Sequence, residues 1–403
     1  MTAPNYRSEA AEVDRFLNGV GQALELTPDQ RRRAQIEYAL LGQHLAAPGT
    51  ILGQQNLDVY SQGSTRIRTE VRPLDGLAAD ACEHDLDAVA EAMFTTLTAM
   101  EQYDALYDRL AMNPRYRPYL ERKNRCVSIN FPGEFHLDAL PAKKDLSRQN
   151  TTSIEIPDRE RKGWVTSNPK GYAAWFELRG ALAREEYRKA VHAAALRASV
   201  APLPAVPTFA EKPVLNRIVQ LIKRRRDIVF KGAGTAPRSI ILTTLAARYY
   251  DGDVSLLLAL MKVVRSIGAA IDLARPNRIE VRNPTDEREN FADAWGRDDV
   301  GYQAFVDFIH KIERDLITLS TTTGIDRVVG LLEALFGAAP VQKAYNSYRE
   351  EMRTAGENGT LRVHPARGLV VGGAAGLVVP RSTHFGSPLD GSAPQPIRNR
   401  RRR

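Results

Sequence analysis

The sequence predicts an α+β protein in which a mixed strand-and-helix half precedes an all-helical half. Three observations lead there. Short apolar strand patterns at 57–60, 70–73, 85–89, 127–131 and 134–140 are interleaved with helical ones in the first 165 residues. From residue 166 the periodicity becomes helical, with segments predicted at 169–198, 212–230, 238–249, 253–267 and 298–320. Two of the strands carry acids and follow a Gly-Ser turn. The predicted organisation is 1–165 as one unit, 166–345 as a helical unit forming a cleft with it, and 346–403 as an extension.

Residues 8–46 read as two helices. The second starts at Thr27-Pro28-Asp29-Gln30, an N-cap with proline at the first helical position, and its predicted buried stripe is Ile36, Tyr38, Ala39, Leu41 and Leu45. A strand at Leu57–Tyr60 then delivers the chain to Gln62-Gly63-Ser64. Ala90–Leu110 reads as one long helix, and Asn130-Phe-Pro-Gly-Glu134 as a hairpin turn that sets the strand of Asp138 antiparallel to its predecessor. Residues 143–163 read as a polar loop over the site. Pro202, Pro204 and Pro207 break the helical half between its first two helices. Near the end, 368–379 reads as a short strand or a flexible segment, and disorder is expected after Gly386, where little apolar surface remains to offset ordering entropy.

The chain has 403 residues, 43% hydrophobic and 26% charged, an ordinary globular composition. No apolar run approaches the ~20 residues of a membrane span. With no secretory pattern at the start and two widely separated cysteines, Cys82 and Cys126, the reading is a cytoplasmic protein with unpaired thiols. The formal charge is +8, of which the tail Ile397–Arg403 supplies five arginines. That balance permits nucleotides or nucleic acid without choosing between them.

The chemistry is carried by His84-Asp85-Leu86-Asp87 and Phe135-His136-Leu137-Asp138. Alternation puts Asp85 and Asp87 on one face of a strand, where two carboxylates repel unless a cation lies between them. Mg2+ suits such a pair, and Asp138 on a second strand would complete a site for two ions flanking a phosphoryl group, with Mn2+ as a substitute. Gln62, Gly63 and Ser64 would present N–H groups and a hydroxyl to phosphate oxygens. In the run Lys223-Arg-Arg-Arg-Asp227, Lys223 borders an apolar helix face and can reach a triphosphate, whereas Arg224 and Arg225 are expected to point outward. Ser239 reads either as the N-cap of its helix or as a further triphosphate ligand. His136, two residues before Asp138, reads as a structural histidine or a neighbour of the metal site.

These segments, with Ser167-Asn-Pro-Lys-Gly-Tyr172 and Asn283–Trp295, resemble in order the bacterial cGAS/DncV-like nucleotidyltransferases, over about residues 30–340. The resemblance implies a polymerase-β-like nucleotidyltransferase core packed on a helical domain. It also implies synthesis of a cyclic di- or trinucleotide from NTPs, ATP and GTP among them, as a signal in antiphage (CBASS) defence, with an activating protein as a possible partner. By position, Asp85, Asp87 and Asp138 would hold the metals, and Gly63, Ser64, Lys223 and Ser239 the phosphates. Two departures stand out: family members often carry glycine where this chain has Arg68, and the Arg-rich end differs from the small-residue C-termini of relatives that become attached to other proteins. A linear oligonucleotide synthase on the same core, a nucleotide-binding regulator with a degenerate site and a non-catalytic nucleic-acid-binding protein remain alternatives at this point.

Overall fold

The computed structural model describes residues 6–74, 84–131, 135–182, 212–364, 368–371 and 377–378. The chain divides into two compact units, Ala10–Tyr345 and a smaller one of Met1–Glu9 with Asn346–Arg403.

Within the larger unit, α1 (Tyr6–Ala23, running in from the smaller unit) and α2 (Pro28–Ala46) lead to β1 (Leu57–Ser61) and the single-turn helix α3 (Gly63–Arg66). Then come β2 (His84–Ala92), α4 (Ala99–Ala111), β3 (Leu120–Arg122), β4 (Val127–Phe131), β5 (Phe135–Lys144), β6 (Ile154–Asp158) and β7 (Gly163–Ser167). The sheet runs β1-β2-β5-β4-β3, with β6 pairing both β5 and β7. Its centre is the parallel pair β2–β5, flanked by antiparallel β1 and β4. The helical half comprises α5 (described over 169–182), α6 (Val214–Phe230), α7 (Ser239–Tyr249), α8 (Leu256–Ala274), α9 (Asp299–Thr321), α10 (Ile325–Phe336) and the start of α11 (Ala338–Glu357), which continues into the smaller unit from Asn346. A two-stranded ribbon, β8 (Arg282–Asn283) and β9 (Asp286–Asn290), lies between α8 and α9. In the smaller unit, β10 (Leu361–His364) pairs antiparallel with β11 (Gly368–Val371) and β12 (Leu377–Val378).

The two faces of the sheet follow from strand alternation. Leu86, Ala88, Ala90, Leu137 and Ala139 pack against Leu41 and Leu45 of α2 and Tyr103, Leu106 and Leu110 of α4 in the main core. Val89, Leu140 and Ala142 belong to a smaller cluster with Ile154 and Ile156 on the other face. Asp87 and Asp138, one residue out of phase with the main core, fall on the second face.

Several expectations are revised. The helix predicted at 90–110 begins at Ala99, behind a Thr98/Glu101 capping box, because Ala90, Glu91 and Ala92 continue β2 between β1 and β5. Residues 143–163 are not a loop throughout, since β5 runs to Lys144 and β6 and β7 form a hairpin. The buried stripe of α2 is Ala34, Glu37, Leu41 and Leu45. Ile36 lies on the opposite arc and is 52% exposed. Residues 70–73 form no strand; side chains of α6 take up their carbonyls instead. Strand β11 settles the reading of residues 368–371. The Pro132-Gly133 turn, Cys82, the proline segment at 202–207, the remainder of the 169–198 helix and the tail after 386 lie outside the described residues.

Candidate active site

Strand register brings the two best-placed acids together. Asp87 on β2 is the direct partner of Asp138 on parallel β5, and the backbone of Asp85 is the partner of His136. Asp138 is held from β4, its antiparallel neighbour: Ser128, directly opposite, donates its hydroxyl to Oδ1. The Cys126 thiol lies 3.5 Å from Oδ2 and donates to it. Burial, reinforced by Asp138, pushes the Cys126 thiol far above its ordinary range, so it stays a donor. His136 is engaged with Asn130 Oδ1 at 2.8 Å, a structural pairing.

The Gly-Ser turn closes over Asp87. The Gln62 N–H donates to the Asp87 carbonyl at 3.0 Å. Gly63 has φ +60°, and a Cβ there would stand 2.1 Å from Asp87 Oδ2. Only glycine meets both demands. Downstream, Arg68 sits at φ +57°, the left-handed conformation that glycine adopts freely. Holding a non-glycine residue there costs a strain of about 1 kcal/mol.

Helix α6 supplies the other wall. Asn216 Nδ2 donates to the Ile67 carbonyl at 2.6 Å, Gln220 Nε2 to Glu70 at 2.8 Å, Lys223 Nζ to Thr69 at 3.1 Å and a terminal nitrogen of Arg224 to Arg72 at 2.7 Å. Residues 67–72 have no strand partner, and these side chains take that role. The expectation that Arg224 and Arg225 point outward is overturned. Both are buried, Arg224 against Arg72 and Arg225 against Asp315 and the Ala334 carbonyl, because α6 is covered by α7, α8, α9 and α10 as well as by the loop. Ser239 is the first residue of α7 and not its cap, a position held by Arg238; its hydroxyl accepts from Arg226 instead.

Gln62, Gly63, Ser64, Asp87, Lys223 and Ser239 all line one cleft of about 410 Å³. The cleft also exposes residues that the motif reading did not assign a role. Arg125, on the turn into β4, is anchored through Nε to Asp158 at 3.0 Å. Burial opposes ionisation of Asp158, but the Arg161 N–H and Arg125 outweigh it and hold its carboxyl below the usual range. Glu289, on β9, accepts at Oε2 from Asn283 at 2.8 Å and from Ser167 at 3.4 Å, and burial raises its carboxyl above the usual range. Phe291 packs edge-on to Tyr172, with ring centroids 5.8 Å apart. Glu289 and Phe291 lie in the Asn283–Trp295 segment already singled out by resemblance, though with no role for either, whereas nothing in the local sequence marks Arg125. All three reach the cleft only through tertiary packing.

Asp87 and Asp138 are hard oxygen donors on adjacent strands, the set through which Mg2+ commonly binds alongside substrate phosphates. Among the described residues no three His, Cys, Asp or Glu side chains gather as a metal site, Asp85 being known here by its backbone register alone. Among the described residues, too, no helix is long and apolar enough to cross a membrane.

Comparison with known proteins agrees with this geometry. No protein-family model matches the chain. It is 30% identical over 355 residues to a c-di-GMP synthase of Roseivirga ehrenbergii, covering 86% of this chain and 90% of that protein. It is 26% identical to the cyclic dinucleotide synthase CdnG of Bradyrhizobium diazoefficiens, covering 85% of each. The solved structure of the CD-NTase CdnG of Bradyrhizobium diazoefficiens in complex with GTP superposes with a TM-score of 0.66 at 24% identity, over 84% of this chain and 99% of that one. Sequence relationship across nearly the whole length, joined to a sheet that pairs Asp87 with Asp138 beneath a glycine turn, leads to one conclusion: the chain belongs to the bacterial cGAS/DncV-like nucleotidyltransferases, the CD-NTase family.

Proposed function

We propose that this chain is a Mg2+-dependent cyclic dinucleotide synthase that uses GTP, alone or with ATP, and acts in the cytoplasm in antiphage (CBASS) signalling, under control of an activating protein. The observation that carries the reading is the register of Asp87 against Asp138 under the Gly63 turn, with Asp87 lining a cleft that Lys223 and Ser239 also line. The name of one curated relative, a c-di-GMP synthase, supports a cyclic product containing guanine, and that of the other a cyclic dinucleotide. Residues 1–165 serve as the catalytic core, 166–345 as the helical wall and 346–403 as an extension.

In this reading Asp85, Asp87 and Asp138 hold two Mg2+ ions, which when bound lower the pKa of the acceptor hydroxyl and neutralise the triphosphate. The acceptor hydroxyl oxygen bonds to the α-phosphorus of the donor NTP while the α–β anhydride bond breaks and pyrophosphate leaves. The hydroxyl proton passes to the Asp138 carboxylate, whose orientation Ser128 fixes. Gln62, Gly63 and Ser64 bind the donor phosphates, with Lys223 and Ser239 on the triphosphate. A second transfer within the linear product closes the ring. Most of the rate enhancement then comes from positioning and electrostatics.

The test is to incubate purified protein with labelled NTPs and Mg2+ and treat the products with phosphatase and exonuclease. A product that resists both enzymes, with the mass of a cyclic dinucleotide, is expected. Phosphatase-resistant ladders that exonuclease degrades would make the chain a linear synthase. If no product forms, alone or with an activator, the catalytic reading is overturned.

A further inference from the structure

The cleft holds one hydrogen-bond acceptor and one pair of donors that the protein leaves unused. Both hydrogen bonds of Glu289 land on Oε2, so Oε1 accepts none among the described residues. Arg125 is anchored through Nε, and its two terminal nitrogens make no hydrogen bond among the described residues, although its charge is close enough to the Glu289 carboxylate to favour ionisation there. Both side chains line the same cleft as the Gly63 turn, together with the apolar groups Leu140, Ile156 and Phe291. Each is also held by a buried partner: Asn283, 2% exposed, fixes Glu289, and Asp158, 1% exposed, fixes Arg125. Polar groups oriented so firmly yet left open toward a cleft are arranged for a ligand.

The chemistry of that ligand follows from the pair. Guanine presents adjacent donors, N1–H and the 2-amino group, beside the acceptor O6. The open Oε1 of Glu289, with its two lone pairs, can accept from the two donors, and a guanidinium takes O6. Adenine presents the bare N1 lone pair where guanine has a donor, and a carboxylate repels it. The apolar residues suit the faces of a purine ring.

We propose that Glu289 and Arg125 select guanine over adenine in this cleft, Glu289 accepting from N1–H and the 2-amino group and Arg125 donating to O6. This rests on the nucleotide-binding reading of the cleft. A well-made pair of this kind discriminates by about 10- to 100-fold.

The experiment is calorimetric titration of the full chain, in Mg2+, with the non-hydrolysable imidotriphosphates of guanosine, inosine and adenosine. Inosine retains O6 and N1–H but lacks the 2-amino group. The wild type is expected to bind guanosine most tightly, then inosine, then adenosine. In Glu289→Gln, the amide oxygen keeps the bonds from Asn283 and Ser167 and its NH2 faces the cleft, offering a donor to adenine N1. Guanosine should weaken about 10- to 100-fold while adenosine holds or tightens. Arg125→Ala should weaken guanosine and inosine alike and spare adenosine. Because the readout is a ratio within each variant, a partly unfolded fraction cancels. If either variant lowers all three affinities equally, or leaves the guanosine-to-adenosine ratio unchanged, the proposal is overturned. Equal wild-type affinity for guanosine and adenosine overturns it while leaving the nucleotidyl-transfer reading intact. A wild type that binds none of the three overturns both.

Discussion

The strand pair β2–β5 and the helix α6 both bring charged side chains to the cleft, and they do so under different rules. On the strands, backbone alternation alone decides the face. Once Leu86 and Leu137 enter the core, Asp87 and Asp138 must leave it on the other side. On α6, the run Lys223–Arg226 has no such guide. A helix with a solvent face would expose two of those residues, yet Leu215 through Arg225 are all buried. What buries them is the surroundings: the segment at 67–72, whose carbonyls have no ladder, draws Asn216, Gln220, Lys223 and Arg224, while the covering helices enclose the rest, Arg225 meeting Asp315 and the Ala334 carbonyl. Charge on a strand thus reports the site directly, whereas charge on this helix reports the loop and helices beside it.

The largest effect should come from the strands. Asp87→Asn is expected to lower turnover by about 1,000-fold or more, since it removes a carboxylate from the reacting centre. The melting temperature should hold or rise, because like charges on adjacent strands repel. A variant with near-normal turnover would break the strand side of the comparison. Next is Gly63→Ala. Its Cβ would collide with Asp87 Oδ2 at 2.1 Å, and φ is +60°, so either the turn or the carboxylate must move. Displacement of about 1 Å predicts roughly a 100-fold loss in kcat, with a fall of a few degrees in melting temperature.

The helix side is tested by Gln220→Ala, which leaves the Glu70 carbonyl without its donor. An unsatisfied buried group of this kind costs about 1–3 kcal/mol. The expected result is a lower denaturation midpoint together with a raised KM for NTP, as the phosphate turn loosens. Loss of stability with unchanged KM would mean that the loop is structural only and does not support the turn. Ser239→Ala should have the smallest effect, a several-fold rise in KM at most. Its hydroxyl meets Arg226 in the free protein, and one such hydrogen bond contributes about 0.5–1.5 kcal/mol.

What was legible beforehand divides along the same line. The antiparallel return of β5 onto β4 and the Thr27 N-cap of α2 rest on contacts within a few residues, and local pattern carries them. Where local pattern competed with pairing, pairing won. Ala90-Glu-Ala92 is good helical sequence, but it lies between two strands that need its backbone groups. Arg68 is the converse case, a residue ill suited to φ +57° that its surroundings hold there, with its carbonyl 3.4 Å from Asn216 Nδ2.

By itself, the sequence determined the α+β division, the acid-bearing strands, the glycine turn before them and the family to which the chain belongs. The first three depend on side-chain periodicity and on short-range backbone geometry, and the family on the resemblance of the motifs in their order. Tertiary structure alone decided which acids stand side by side, that the basic helix turns inward, and that Arg125 and Glu289, far apart in sequence, share a cleft. Those facts depend on which carbonyls and carboxylates are left without partners once the sheet has formed, and satisfying them is a property of the whole fold.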